Sequence, residues 1–568
     1  MKTKTIKISA LFLLLVTVMV LYACTDTNQN SQKLYNGAEL TSINFGSDNI
    51  TVNGKSVGND SYNAVYTSKD IIYYENLEEY PSGNPYGEGE ESDRHTKIEA
   101  DEHTVVNITA PGTYKLSGKL EPGQIRVDLG KDARKDPEAK VTLILDGLEL
   151  TSTVAPAILF MNTYECDNEW STESASAEVN TENAGANIII ADGSKNTVNG
   201  AYVAKIFKDD EDEKKLWKQD GAIYSYTSLN VNGEANNTGL LDLYAENEGL
   251  DSELHLTING GNINIRSQND GINTNEDGVS VTTINGGNIH IIAGLGNEGD
   301  GIDSNGWLVI NGGSVISGAN PASDAGLDSD MGSFINGGTV VALGSTMDWA
   351  ESDSDQITMN LQFDDYKESD SAIIITRQDA SVVFAYDPAE DEVVGENIRK
   401  YKGAIISTPE LKLEETYNLY IGGEIIGNEI SGIYDPTSIS SYNGAIKQGF
   451  TGTDVMRGFG GARPGFGGKR PDLEMPEGGE VPEMPQDNRG EFEKRPEGDF
   501  NKERPERKGE RLGGGFEMPD MDKGFNPPEG FEGANQGIKP LMTEFYMQDK
   551  VNFFSGVRAY NETVIEEA

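Results

Sequence analysis

Hydrophobic positions along this chain come in short β-like bursts separated by turn residues, not in helical stripes. Val141-Thr142-Leu143-Ile144-Leu145-Asp146-Gly147 and Asn187-Ile188-Ile189-Ile190-Ala191-Asp192-Gly193 each read as a strand that ends in an Asp-Gly turn. Between Asp220 and Trp349 the bursts become periodic. Asn-Gly-Gly recurs at Asn259, Asn285, Asn311 and Asn336, with separations of 26, 26 and 25 residues, and a weaker Asn232-Gly233 lies 27 residues upstream. Each triplet follows an isoleucine (Ile258, Ile284, Ile310, Ile335) and precedes, one residue further on, Ile263, Ile289, Val315 or Val340. A second motif repeats out of phase: Gly249-Leu250-Asp251-Ser252, Gly271-Ile272-Asn273-Thr274, Gly301-Ile302-Asp303-Ser304 and Gly326-Leu327-Asp328-Ser329.

A fixed period of this size is the mark of a stacked-coil architecture. The runs are short and β-branched, and no 3.6-residue period lies between them, so helical repeats fit poorly. A β-propeller needs about 40 residues per blade. The expected fold is therefore all-β, a right-handed parallel β-helix of the pectate-lyase kind, with equivalent residues of successive coils about 4.8 Å apart. The regular part is expected over residues 104–448, after an N-terminal β-rich extension at 42–103. Residues 449–539, rich in Gly, Pro, Glu, Met, Phe and Arg, offer no continuous apolar face. They are expected to form a disordered low-complexity insertion before closing strands at 540–568.

The first residues read as an export address. Lys2, Lys4 and Lys7 precede an apolar stretch, Ile8 to Tyr22, that is short for a membrane span. It ends in Leu21-Tyr22-Ala23-Cys24, which resembles a bacterial lipoprotein cleavage box, with Tyr22 larger than usual there. Residues 1–23 are thus expected to be a lipoprotein signal peptide, Cys24 the lipidated residue and 24–41 a tether. A plain secretory signal with a chance cysteine is the alternative.

Charge narrows the partners. The 568 residues include 94 acids against 45 Lys and Arg, a formal net charge of −49. Such an excess disfavours nucleic acid and attracts cations. Two cysteines, Cys24 and Cys166, give no disulfide framework or Cys-based zinc site, and the four histidines lack zinc-protease spacing.

The acids are not scattered. Glu248, Asp270 and Asp300 precede the glycines of the second motif, with Ala325 at the fourth position beside Asp324; Asp251, Asn273, Asp303 and Asp328 lie two residues after those glycines. In stacked coils they fall above one another. Two carboxylates about 5 Å apart repel by roughly 1 kcal/mol in water and about 3 kcal/mol at an effective dielectric of 20. From Gly221 to Met347 there is no lysine and only one arginine, Arg266. A bound hard cation relieves the repulsion directly, and carboxylates with Asn and carbonyl oxygens are calcium ligands. The expected metal ligands are Glu248, Asp251, Asp270, Asn273, Glu298, Asp300, Asp303, Asp324, Asp328 and Asp330, against a plain reading in which they form only a solvated acidic face. The Asn-Gly-Gly columns are expected to be structural.

Catalysis has less to stand on. The Gly-His-Gly and Arg-Ile-Lys motifs of polygalacturonase-like hydrolases are absent. A pectate-lyase mechanism needs a basic Lys or Arg beside calcium. Lys205, Lys208, Lys214, Lys215 and Lys218 flank the Asp209–Glu213 run and read as a charged surface loop. No catalytic residue is expected. Trp307, Tyr224 and Tyr244 are the aromatic residues expected to stack on sugar rings; packing is the alternative for each.

These residues carry a resemblance. Asp300-Gly301-Ile302-Asp303-Ser304-Asn305-Gly306 with Ile310-Asn311-Gly312-Gly313, and the Ala319–Asp330 segment, resemble the bacterial carbohydrate-binding β-helix family known from cellulolytic clostridia. Ala110–Gly118 and Ile144–Thr151 resemble that family's opening coils, and Phe554-Ser555-Gly556-Val557 its closing strand. The resemblance implies a pectate-lyase-like fold, calcium binding, and binding of acidic plant polysaccharide and cellulose without clear lyase activity. The expected protein is a monomeric cell-surface lipoprotein that binds uronic-acid-rich polysaccharide through calcium, and no nucleic acid. A calcium-dependent lyase and an envelope scaffold with coil-stabilising calcium are the rivals.

Overall fold

A computed structural model describes residues 40–47, 49–74, 91–167, 171–207, 215–345, 348–368, 370–391, 393, 399–453 and 541–560. The signal segment, Cys24 and nearly all of the low-complexity tract lie outside these residues. The described chain is all-β apart from 3-10 turns and one six-residue helix, Lys97–Glu102. That helix starts where the Thr96 hydroxyl accepts the Glu99 N–H at 3.2 Å. Thr-Lys-Ile-Glu is the capping-box pattern, a local signal that the β reading of this stretch passed over.

Three parallel ladders carry the repeats. The first runs from Val141–Thr151 through Ala186–Ile190, Leu229–Gly233, His255–Ile258, Val281–Ile284 and Trp307–Ile310 to Gly332–Ile335. The second leaves the same long strand through Lys195–Gly200, Leu240–Ala245, Asn262–Ser267, Asn288–Ile292 and Ser314–Gly318 to Thr339–Gly344. The third joins Thr104–Ile108, Gly123–Asp128, Ile158–Asn162, Gly221–Ser225, Glu248–Ser252 and Ile272–Thr274. Single bridges at Ile302 and Leu327 continue it.

The registers explain the sequence period. Ile188, Val231, Ile258, Ile284, Ile310 and Ile335 are successive partners in the first ladder, and all are fully buried. Leu241, Ile263, Ile289, Val315 and Val340 stack likewise in the second. Ile223, Leu250, Ile272, Ile302 and Leu327 stack in the third. One apolar side chain per coil and ladder thus feeds a continuous core, each contributing roughly 1.5–3 kcal/mol on burial.

Between the first two ladders the Asn-Gly-Gly turns also stack. Each Asn side chain donates Nδ2 to the Oδ1 of its predecessor at 2.9 Å, from Asn259 to Asn232 through to Asn336 on Asn311. The second glycine has positive φ (+96° at Gly287, +85° at Gly313), and a Cβ at Gly313 would lie 2.6 Å from the Gly287 carbonyl oxygen.

The repeat ends at Thr339–Gly344, where Tyr401–Ser407 pairs antiparallel to it and to Thr358–Lys367. A second core builds there from Phe363, Tyr386, Tyr401, Tyr417, Phe450, Phe545 and Phe554, packed on Ile316 and Val341 of the second ladder. Phe450 and Met542 exchange both backbone hydrogen bonds, at 2.8 and 2.9 Å. The chain therefore enters and leaves the low-complexity tract at adjacent points, and Val551–Ala559 closes the sheet beside Thr358–Lys367.

Candidate cation and saccharide site

The third ladder turns a corner at each acid-Gly pair. The N–H groups of Gly249 and Leu250 donate to Asp270 O and Gly271 O, those of Gly271 and Ile272 to Asp300 O and Gly301 O, and those of Gly301 and Ile302 to Ala325 O and Gly326 O. Adjacent coils come so close that a Cβ on Gly271 would sit 2.5 Å from Gly301 O. This repeated corner places Glu248, Asp270, Asp300 and Ala325 in one column. Tyr224, Asp251 and Asn273 are register partners in a second, which Asp303 and Asp328 continue beside the bridged Ile302 and Leu327.

Hydrogen bonds tie the columns from coil to coil. Asp270 Oδ1 accepts Asp300 N at 2.6 Å, Asp300 Oδ1 accepts Ala325 N at 2.5 Å, and Asp324 Oδ2 accepts Gly299 N at 2.8 Å. Asn273 Nδ2 donates to Glu248 Oε1 at 3.1 Å, and Asn275 Nδ2 to Asp251 Oδ1 at 2.7 Å. Glu248 and Asp251 are essentially buried, Asn273 is 5% exposed, and yet Glu248 Oε2, Asp251 Oδ2 and Asn273 Oδ1 have no hydrogen-bond partner. Three buried acceptor oxygens on neighbouring coils, without a donor, suit a hard cation.

Burial makes these acids reluctant to ionise. It pushes Glu248, Asp251, Asp270 and Asp303 well above the usual carboxyl range, and the charge of a neighbouring acid (Asp220, Glu248, Asp303 and Asp328 respectively) pushes the same way. Asp300 is raised to about 7 by burial, against the opposing Ala325 N–H. Asp348 reaches about 7 by burial and the charge of Asp328. Glu253 also reaches about 7 through burial, although the Tyr224 hydroxyl donates to it at 2.6 Å.

The other expected residues fall less uniformly. Asp328 and Asp324 are half-buried, while Glu298 and Asp330 are exposed at the rim. Among the described residues no three His, Cys, Asp or Glu side chains are gathered into a ready-made metal site. A bound ion would draw further oxygens from Asn273, main-chain carbonyls, water or a sugar.

Two expectations need correction. Tyr224 is fully buried with its hydroxyl on Glu253, so it presents no ring face to a sugar. Lys218 stands on a strand, not in a loop, and although its side chain is 34% exposed its Nζ lies 2.5 Å from Oδ2 of Asp220, which is 3% exposed. Burial alone would disfavour its charge, but Asp220 and then Glu248 outweigh that and hold the ammonium above its ordinary range. Tyr244 is 40% exposed but stands on the second ladder, with the Arg266 guanidinium 5.2 Å from its ring centre. Arg266 therefore serves that face and an ion pair with Asp242 at 3.9 Å. Trp307 is half-buried and opens a strand of the first ladder four residues beyond Asp303.

Asp220, Glu253, Asp348 and Lys218 were not anticipated as site residues. Asp220 does precede a glycine, but Gly221 pairs with Glu248 rather than Gly249, a one-residue offset that hides the match.

The profile of carbohydrate-binding domain-containing proteins matches residues 102–390, just over half of the 568-residue chain, and spans all three ladders. The chain belongs to the carbohydrate-binding domain-containing protein family. A carbohydrate-binding domain-containing protein of Acetivibrio thermocellus is 31% identical over 162 residues. That stretch is 28% of this chain and 45% of the relative, so less than half of the relative's length is represented. A solved structure of a polysaccharide lyase-like protein from C. thermocellum, a gadolinium derivative, is 23% identical with a TM-score of 0.30, covering 52% of this chain and 92% of that one.

Proposed function

We propose that this family member is a lipid-anchored, cell-surface protein that binds acidic, uronic-acid-rich polysaccharide through calcium and does not cleave it. In this reading the three ladders are the faces of a parallel β-helix, and the acids of its third face are the cation-binding edge. The observation that carries the reading is the set of buried, donor-less oxygens of Glu248, Asp251 and Asn273, continuous with the more open Asp300, Asp303 and Asp328. A bound calcium ion would supply positive charge to which protein and sugar carboxylates can both coordinate. Glu248, Asp251, Asp270 and Asn273 would hold it from the closed end. Asp300, Asp303, Asp324 and Asp328, with Glu298 and Asp330 at the rim, would hold it where a sugar can reach. Trp307 is the aromatic residue nearest in sequence to that open end. The Lys2–Cys24 segment supports the anchor; incorporation of labelled fatty acid that persists in Cys24→Ala would contradict it.

Lys218 favours a second reading, a calcium-dependent lyase, because it brings an ammonium to the acidic edge. A general base must lose its proton near the working pH, and the surrounding acids hold this one charged. The two readings separate in one experiment. Polygalacturonate is titrated into the purified protein with calcium and with chelator, while the absorbance of unsaturated product is followed. Binding only with calcium and no product is expected. Product would establish the lyase, and no binding in either condition would sink the polysaccharide reading.

A further inference from the structure

The acidic edge has an abrupt closed end. Above Asp220 the third ladder continues into Ile158–Asn162, where Leu159 is the register partner of Tyr224 and so lies two strands above Asp251. Ala155, Ile158 and Leu159 are buried there and offer no side-chain oxygen. A divalent ion at this end would find no ligand oxygen on those three side chains, and ion charge left unsolvated is costly.

Lys218 arrives at this boundary on the strand Lys215–Gln219, held by the pairing of Gln219 with Val203. Its ammonium sits on Asp220 at 2.5 Å, and the Asp220 main-chain oxygen accepts the N–H of Glu248, the first of the stacked acids. The positive charge of Lys218 also favours the ionised forms of Glu248, Asp251 and Asp270. An ammonium needs only three acceptors and no coordination sphere, so it suits a half-walled position that calcium does not.

Resting on the cation-binding reading above, we propose that the Lys218 ammonium is a tethered cation filling the first position of the edge at Asp220, ahead of Glu248. It fixes how many exchangeable ions the edge takes and confines them to the positions from Glu248 toward Asp328. Lys218 is thus a positioning residue for the metal and is not itself a ligand. Removing its charge takes from the Asp220 carboxylate the ammonium that sits on it, while the charge of Asp220 still bears on Glu248, and this end recruits a further ion.

The test counts calcium bound at equilibrium by calorimetry, and by metal analysis after dialysis, in the wild-type chain, Lys218→Met and Lys218→Arg. The expected result is one more calcium per chain in Lys218→Met than in wild type, with the wild-type number in Lys218→Arg. Lys218→Met should also melt lower than wild type without calcium and recover when it is added. Equal numbers and equal melting in Lys218→Met and wild type would overturn the tethered-cation role while leaving the cation reading intact. No calcium on the wild type would overturn the cation reading itself. The double variant Lys218→Met/Asp220→Asn, which removes both charges, should fold and bind the wild-type number. If only the double variant folds, whether or not calcium is present, Lys218 is merely an ion-pair partner and the proposal falls.

Discussion

The buried acids at the acid-Gly corners, Glu248, Asp251, Asp270, Asp300 and Asp303, are held in a costly state by burial and by their neighbours. Desolvation is the first cause of the raised values at Glu248, Asp251, Asp270, Asp300 and Asp303, and like charges on adjacent coils add to it. The spacing of the Gly-x-Asp-Ser motif made Asp251, Asn273, Asp303 and Asp328 legible in the sequence, because a fixed period turns distant residues into neighbours. Tyr224 lay beyond that logic: it shares the register of Asp251, but nothing in the sequence says that its hydroxyl will turn onto Glu253 and bury the ring. Lys218 and Asp348 lie outside the motif altogether. Their places are set by a strand pairing at one end and by the coil after Asp328 at the other.

At the scale of elements the turns matter as much as the strands. Gly147 and Gly313 both have positive φ (+79° and +85°), but a Cβ on Gly147 meets nothing within 4 Å, whereas one on Gly313 collides with the coil before it. Gly147→Ala is expected to cost about 1 kcal/mol, for the left-handed backbone alone. Gly313→Ala should cost at least about twice that, because the stacked coil must also move. Denaturant unfolding of the two variants measures the difference; equal costs would show that coil stacking does not constrain this turn. The strand bursts and the Asn ladder were legible because one residue type recurs at one position per coil. The Lys97–Glu102 helix escaped because its signal is four residues long and sits among β-like runs.

For the whole molecule, the acid excess and the repeat describe the same object from two sides. The repeat stacks its strands in register, and stacking brings part of the acid excess into a line of carboxylates along the third ladder. The closing body, with its aromatic core of Phe450, Phe545 and Phe554, was legible only as fading β pattern, since its strands come from segments about a hundred residues apart. Its pairing of Phe450 with Met542 nevertheless keeps the ends of the long tract together.

An acidic edge completed by calcium, as proposed, ties the protein's stability to pH and metal together. The folded protein keeps protons on acids such as Asp300 and Asp348 up to about pH 7, whereas the unfolded chain releases them near the ordinary carboxyl value of 3.8. Between those limits the folded state binds more protons, so metal-free stability must fall as pH rises through that window. Calcium bound to the ionised acids, as proposed, should reverse the loss. The decisive measurement is thermal melting at about pH 5 and about pH 7.5, with calcium and after its removal. The metal-free protein should melt lower at the higher pH, and calcium should raise its melting temperature there more than at the lower pH. Identical melting with and without calcium at the higher pH would contradict the account.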